Sequence, residues 1–255
     1  MSALFEQILS DKRGRLARGE FAPVGRPLAT SDGARFLSAL RAPGVRIVAE
    51  FKARSPSAGE IVSGADGKVE TFALAYRRGH AAAISVVAEQ DHFGGNPEWV
   101  TRARRISGLP VLMKDFVLSE RQLDFAVSLG ADAVLLIARA LSDSDLDSLR
   151  KAARERGLAA VVEAHGAAEI PRAAAVGPDV LGVNARDLVT FATDVASLEP
   201  LAREIPPGPV RLAESGISSR DDVRRLAAAG WEAFLVGEAL LKAEEPEEAL
   251  RELAR

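Results

Sequence analysis

Eight short apolar runs, rich in β-branched residues, recur along the 255-residue chain and constrain its fold more than any other feature. They are RIVAEF from Arg46, AISVVAE from Ala83, PVLMKD from Pro110 and DAVLLIA from Asp132, followed by LAAVVEA from Leu158, VLGVNA from Val180, VRLAES from Val210 and AFLVG from Ala233. Their starts are spaced by about 27 residues on average, the size of one βα unit. The runs are near-continuously apolar rather than alternating, as expected of parallel strands covered by helices. Amphipathic segments such as SERQLDFAVSLG and SSRDDVRRLAAAG lie between them, with Ser119 and Ser218 or Ser219 at N-cap positions. Glycines at 79, 130, 157, 177 and 230 each follow a helical pattern and precede an apolar run, where a left-handed residue turns the chain back into a strand.

Eight units without a linker favour an α/β fold of the (β/α)8 TIM-barrel type over an open doubly wound sheet. A dinucleotide-binding sheet needs a Gly-x-Gly-x-x-Gly turn after its first strand, and KARSPSAGE stands there instead. Pro171 falls inside the expected fifth helix, so that helix starts at or after it, or is kinked. The pattern reads as one barrel domain over residues 1–255. Residues 1–44 form an N-terminal helical extension (ALFEQILSDKRGRLA and TSDGARFLSALRA) packed against one end of the barrel.

Composition excludes several classes. With 36 acidic and 33 basic residues the net charge is -3, which predicts neither nucleic-acid binding nor attachment to an anionic membrane. No apolar run approaches the roughly 20 residues that span a bilayer, and the N-terminus lacks a signal core, so a cytoplasmic protein is expected. There is no cysteine, hence no thiol nucleophile or thiolate metal site. The three histidines lack metal-ligand spacing, and no metal is expected.

In such a barrel the chemistry sits at the C-terminal strand ends. Glu50 and Lys52 are two apart and share one side of the first strand. The other strand-end residues are Glu89, Lys114, Asp115, Arg139, Glu163, Asn184, Arg186, Glu214, Ser215 and Gly237. Taken singly, Glu89, Asp115 and Arg139 read as residues at the water boundary or in structural ion pairs. Lys114, Glu163 and Glu50 are embedded among apolar neighbours, where a charge is costly unless paired or used. A lysine desolvated near another cation is expected to have its pKa lowered towards neutrality, as a general acid needs. Gly216 and Gly237 follow the seventh and eighth runs, the common phosphate position in barrels, with Lys52 and Ser55 able to close the same site. The segment AEQDHFGGNPEW, containing Phe93, reads either as a mobile loop over an aromatic substrate or as an ordinary polar connection.

These motifs resemble the indole-3-glycerol-phosphate synthase family of tryptophan biosynthesis. The resemblance runs in order through AEFKARSPSAGEI, SVVAEQDHFGG, VLMKDF, ADAVLLIARAL, VVEAH, LGVNARDLVTF, AESGIS and FLVGEALLKAEEP. It implies closure of the pyrrole ring of 1-(2-carboxyphenylamino)-1-deoxyribulose 5-phosphate, with loss of carbon dioxide and water and without a cofactor. By the same resemblance, Lys114 is the general acid of ring closure and Glu163 the partner acid/base of the dehydration. Glu50 and Lys52 are the first-strand pair. Asn184, Arg186, Glu214, Ser215, Phe93 and Phe116 are implied to bind substrate. Lys52, Ser55, Gly216, Gly237 and Glu238 are implied to hold its phosphate, Glu238 through its backbone with its side chain turned away. Partners are then the phosphorylated small molecule and other enzymes of the pathway, around a monomer. Ala53, Ala185 and His165 depart from the residues frequent in the family. A Schiff-base aldolase using Lys114, a non-catalytic phosphoester-binding barrel and the isomerase of the same pathway are the competing readings. The Glu-Phe-Lys segment and the missing cysteine disfavour the isomerase.

Overall fold

A computed structural model describes residues 3–25, 31–56, 58–187 and 192–255. Ser57 of the first motif, residues 188–191 at the end of the segment LGVNARDLVTF, and the first residue of the second expected helix, Thr30, lie outside the described residues. Eight parallel strands close a barrel: β1 (Arg46–Phe51), β2 (Ala83–Val87), β3 (Val111–Lys114), β4 (Ala133–Ile137), β5 (Ala159–Ala164), β6 (Val180–Asn184), β7 (Val210–Glu214) and β8 (Ala233–Val236). Each lies within one of the eight apolar runs, and β1 pairs with both β2 and β8 to complete the ring. Inward residues such as Val48, Leu112, Val161, Leu212 and Leu235 form one interior cluster. Outward residues such as Ala49, Phe51, Met113, Val162 and Phe234 pack under the surrounding helices. Val48 therefore points inward and Phe51 outward, which puts Glu50 at the top of the interior.

The crossover helices obey local rules. Ser119 caps the helix Glu120–Leu129, and Ser219 caps Arg220–Ala229 in a capping box with Asp222. Pro171 sits in the first turn of the helix Ile170–Ala175, where its missing N–H costs nothing. Glycines 130, 157, 177 and 230 have positive φ, but Gly79 does not. There His80 takes the left-handed conformation, and Gly79 is required for space: a Cβ would meet Leu250 Cδ2 at 2.8 Å and Glu247 O at 2.9 Å. Between β6 and β7 the described residues form two 3-10 turns, Val195–Leu198 and Leu201–Glu204, instead of a crossover helix. Pro200 starts the second turn, and Pro206, Pro207 and Gly208 follow it, so the segment cannot extend as a helix.

The N-terminal helices do not share one end of the barrel, as the sequence reading expects. The helix α1 (Ala3–Ala17) lies over the C-terminal mouth, where Phe5 meets Phe116 just beyond β3. The helix α2 (Gly33–Arg41) closes the opposite end. Its Gly33 N–H donates to Gly157 O, and the Asp32 N–H donates to the Asp132 carboxylate at the start of β4. Phe36 and Leu40 join the interior cluster from below, and Phe5 and Leu9 join it from above. A (β/α)8 barrel must cover both open ends of its interior, and this chain covers each with one helix.

Candidate active site

The strand ends carry a closed set of charges. Glu50 extends from β1 and is buried, with its Oε1 2.7 Å from Lys52 Nζ. Lys114 ends β3, and its Nζ lies 2.5 Å from Glu214 Oε2, 3.4 Å from Glu163 Oε2 and 3.9 Å from Glu50 Oε2. Two ammonium groups therefore face three buried carboxyls, and, the His165 ring beside Glu163 apart, these five groups are neutral only if one carboxyl holds a proton. Glu214 is that carboxyl. Burial and the neighbouring Glu163 charge outweigh Lys114 and push it up to about 8. Burial also works against ionisation of Glu163, but Lys114 and His165 overcome it and hold Glu163 below the ordinary range. Lys52 and Lys114 do the same for buried Glu50.

Lys114 departs from the sequence expectation. Burial favours its neutral amine, but Glu214, Glu163 and Glu50 together raise its pKa above that of an ordinary lysine. The neighbouring cation, Lys52, is occupied by Glu50 and does not offset them. At neutral pH Lys114 is therefore an ammonium, able to donate a proton but not to attack as a free amine.

A cavity of about 430 Å³ opens above these groups. Glu50, Lys52, Lys114 and Glu163 line it, over a floor that includes Leu135, Ile137 and Leu235. Asn184, Arg186 and Ser215 line it as well. Glu214, expected among the substrate-binding residues, does not reach its surface; it is fully enclosed and contacts Lys114 instead. Gly182 makes room for it: a Cβ there would lie on the Glu214 carboxylate.

One wall is aromatic. The rings of Phe93 and Phe116 are 6.2 Å apart, and Phe5 meets Phe116 edge-on at 6.1 Å. The other end is lined by Lys52, Ser55, Gly216 and Gly237. Ser215 and Gly216 both have positive φ, an unusual conformation for a serine that turns the chain sharply off β7. Gly237 is required for close approach, because a Cβ would stand 2.8 Å from Glu50 Oε1 and 3.3 Å from Lys52 Nζ. The Glu238 carboxylate accepts from Lys242 at 2.6 Å. That bond, with Lys52 and Arg186 nearby, keeps Glu238 ionised. Asp222 takes the backbone N–H groups of Ser218 and Ser219. Those two N–H groups, just ahead of the helix after β7, are thus already taken, and Gly216 and Gly237 line the cavity.

Asn184 Oδ1 accepts the Arg186 N–H at 2.9 Å, which aims Arg186 along the cavity rim. Arg139 pairs with Glu169, which also accepts the backbone N–H of His165; it braces the loop after β5 and does not line the cavity.

A family model for indole-3-glycerol phosphate synthase matches residues 6–253. The chain belongs to this family. Relatives of that name include a protein of Koribacter versatilis, 41% identical over 260 residues with 99% of each chain covered. Another, from Nocardioides sp., is 45% identical over 213 residues, covering 84% of this chain and 81% of its own. Solved structures share the barrel at lower identity. A 3-hexulose-6-phosphate synthase superposes with a TM-score of 0.63 at 16% identity, covering 83% of this chain and 98% of its own. An orotidine 5'-phosphate decarboxylase from Pyrococcus horikoshii gives 0.62 at 13% identity, covering 82% and 97%. At such identity the likeness concerns the fold alone.

Three residues near this synthase-family site escape the sequence reading. Lys12 of α1 is buried with its ammonium 2.7 Å from Asp115 Oδ1 and 3.6 Å from Glu89 Oε1. Its position was a readable signal, since Phe5, Ile8, Leu9 and Lys12 follow the spacing of a single buried stripe. His165, named above only as a departure from the family pattern, has a buried side chain with its Nε2 3.2 Å from Glu163 Oε1. Lys242 reaches the cavity from the short helix after Gly237.

Proposed function

We propose that this cavity converts 1-(2-carboxyphenylamino)-1-deoxyribulose 5-phosphate into indole-3-glycerol phosphate, carbon dioxide and water, with Lys114 as the general acid of ring closure. The observation that carries this assignment is the Lys114 ammonium, lining the cavity with Glu214 and Glu163 at its back. The aromatic carbon bearing the carboxylate attacks the ketone carbon, and the ketone oxygen takes the Lys114 proton. The carbon–carboxylate bond then breaks, its electron pair returns to the ring, and carbon dioxide leaves. The proton on Glu214 lies beside Lys114 to replace the one given up.

The last step removes the new hydroxyl as water, with a proton leaving the adjacent CH₂ carbon. Glu50 and Glu163 are held ionised, so neither is poised to supply a proton. This favours Lys52 as the acid and Glu163 as the base of the dehydration. Phe93 and Phe116 would flank the anthranilate ring. Lys52, Ser55, Gly216, Gly237 and the backbone of Glu238 would hold the phosphate, with Asn184, Arg186 and Ser215 between the two ends. The chemistry as written asks for no cofactor.

The same reading takes the chain as one barrel domain acting as a monomer in the cytoplasm. Among the described residues only Val24 is an exposed large hydrophobic, and no described helix is long and apolar enough to cross a membrane. Mixing purified protein with the anilino-ribulose phosphate and following indole fluorescence tests the activity. Steady product formation is expected, and a folded protein without turnover refutes the reading.

A further inference from the structure

The aromatic wall is held from outside the cavity. Lys12 is 1% exposed, an unusual state for a lysine, and its ammonium stands between Asp115 and Glu89. Each of these carboxylates has a second task. Asp115 Oδ1 accepts the backbone N–H of Phe116 at 2.7 Å. Glu89 accepts the N–H groups of Asp91, His92 and Phe93 at 3.2, 2.7 and 3.0 Å. One cation thus serves both buried carboxyls that fix the backbones of Phe93 and Phe116, and burial together with the Glu89 charge pushes Asp115 above its ordinary range. The Phe21 ring covers the ammonium at 5.4 Å, and Asp11 on the same helix reaches His92 at 2.9 Å. Without the cation, two buried carboxyls would share one site with no counter-charge, and either one must take up a proton or the loops they hold must shift.

We propose that Lys12 is a positioning residue for the aromatic end of the substrate, acting through Glu89 and Asp115 on Phe93 and Phe116. This rests on the reading that the substrate's anthranilate ring lies at that wall. It also gives α1 a task beyond covering the barrel. The helix brings Phe5 to the wall and Lys12 to the carboxylates beneath it, so wall and cover form together. The phosphate end is built on the loops after β1, β7 and β8, none of which Lys12 contacts through these pairs.

The test compares Lys12→Met, Lys12→Arg and the double variant Lys12→Met with Asp115→Asn. KM and kcat are measured with the anilino-ribulose phosphate. Competitive inhibition is measured with anthranilate for the aromatic end and inorganic phosphate for the other. Lys12→Met is expected to raise KM and the anthranilate inhibition constant by about tenfold or more, with a smaller fall in kcat. The phosphate inhibition constant should stay within about twofold, a shift well below one tenfold step in affinity. Lys12→Arg should restore most of the loss, and the double variant, with one buried anion fewer, should bind anthranilate better than Lys12→Met. An unchanged anthranilate constant, or equal weakening of both inhibitors, overturns the proposal. If Lys12→Met does not fold, the double variant and Lys12→Arg decide: either of them weakening both inhibitors alike also overturns it. A wild-type protein without turnover would sink the proposed function instead.

Discussion

Lys114 Nζ lies 2.5 Å from Glu214 Oε2, although Glu214 is walled off from the cavity that Lys114 lines. The cavity sees the cation, and the carboxyl that shares its proton sits behind it. This differs from a lysine made acidic by an apolar pocket. Three carboxyls raise the Lys114 pKa, and the proton balance of the site is set by Glu214 instead.

Replacing Lys114 removes the proposed donor while leaving the carboxyls. Lys114→Ala is expected to lower kcat by at least about 100-fold, the range of general acid–base groups. Thermal unfolding of the same sample checks that the fold survives. An unchanged kcat would take Lys114 out of the reaction.

The Glu214 carboxyl makes stability depend on pH in a definite direction. Its pKa is about 8 in the folded chain against an ordinary 4.5, so between these values the folded state holds more protons than the unfolded one. The favourable contribution is fully present below about 4.5 and is lost as pH rises through about 8. Glu214→Gln removes this dependence. Urea unfolding across this interval should show wild type losing stability relative to the variant as pH rises. Parallel curves would contradict the assignment.

Gly237 is held to its size by the Glu50–Lys52 pair, which a Cβ would touch at 2.8 Å and 3.3 Å. Gly237→Ala is expected to lower kcat/KM by about 10- to 100-fold, the cost of misplacing reacting groups by about an ångström. Thermal unfolding of the same variant checks that the fold survives. Wild-type kinetics in this variant would mean that the pair has room to move without consequence.

The lower end of the barrel should be a matter of stability alone. Phe36 is fully buried beneath the interior cluster and far along the barrel from the charged mouth. Phe36→Ala is expected to cost about 3–5 kcal/mol in urea unfolding, as large core truncations do. KM at low temperature should be unchanged, and a raised KM would tie α2 to the site.

The strands were legible because a parallel barrel buries both faces, which writes contiguous apolar runs into the sequence. Glu50, Lys52, Lys114 and Glu163 were legible for the same reason, since each is a charge at the end of such a run. What was not legible depends on contacts across long stretches of chain. Lys12 lies on the apolar stripe of α1, yet Glu89 and Asp115, which make its burial tolerable, come from two other strand ends. The enclosure of Glu214 follows from the space Gly182 leaves on the neighbouring strand. That α1 and α2 part to opposite ends follows from contacts such as Gly33 with Gly157, which local pattern does not encode. His80, not Gly79, takes the left-handed conformation, and Gly79 answers instead to the crowding of Leu250 and Glu247, which lie far along the chain.

The central claim is that one cavity joins ring closure to decarboxylation through the Lys114 ammonium. The direct measurement uses the anilino-ribulose phosphate labelled in its carboxyl group and counts labelled carbon dioxide against indole product in a single turnover. Wild type should release one carbon dioxide per indole formed, and Lys114→Ala should release almost none on the same timescale. A folded wild-type protein that releases neither product, or a Lys114→Ala variant that releases both at the wild-type rate, would contradict the account.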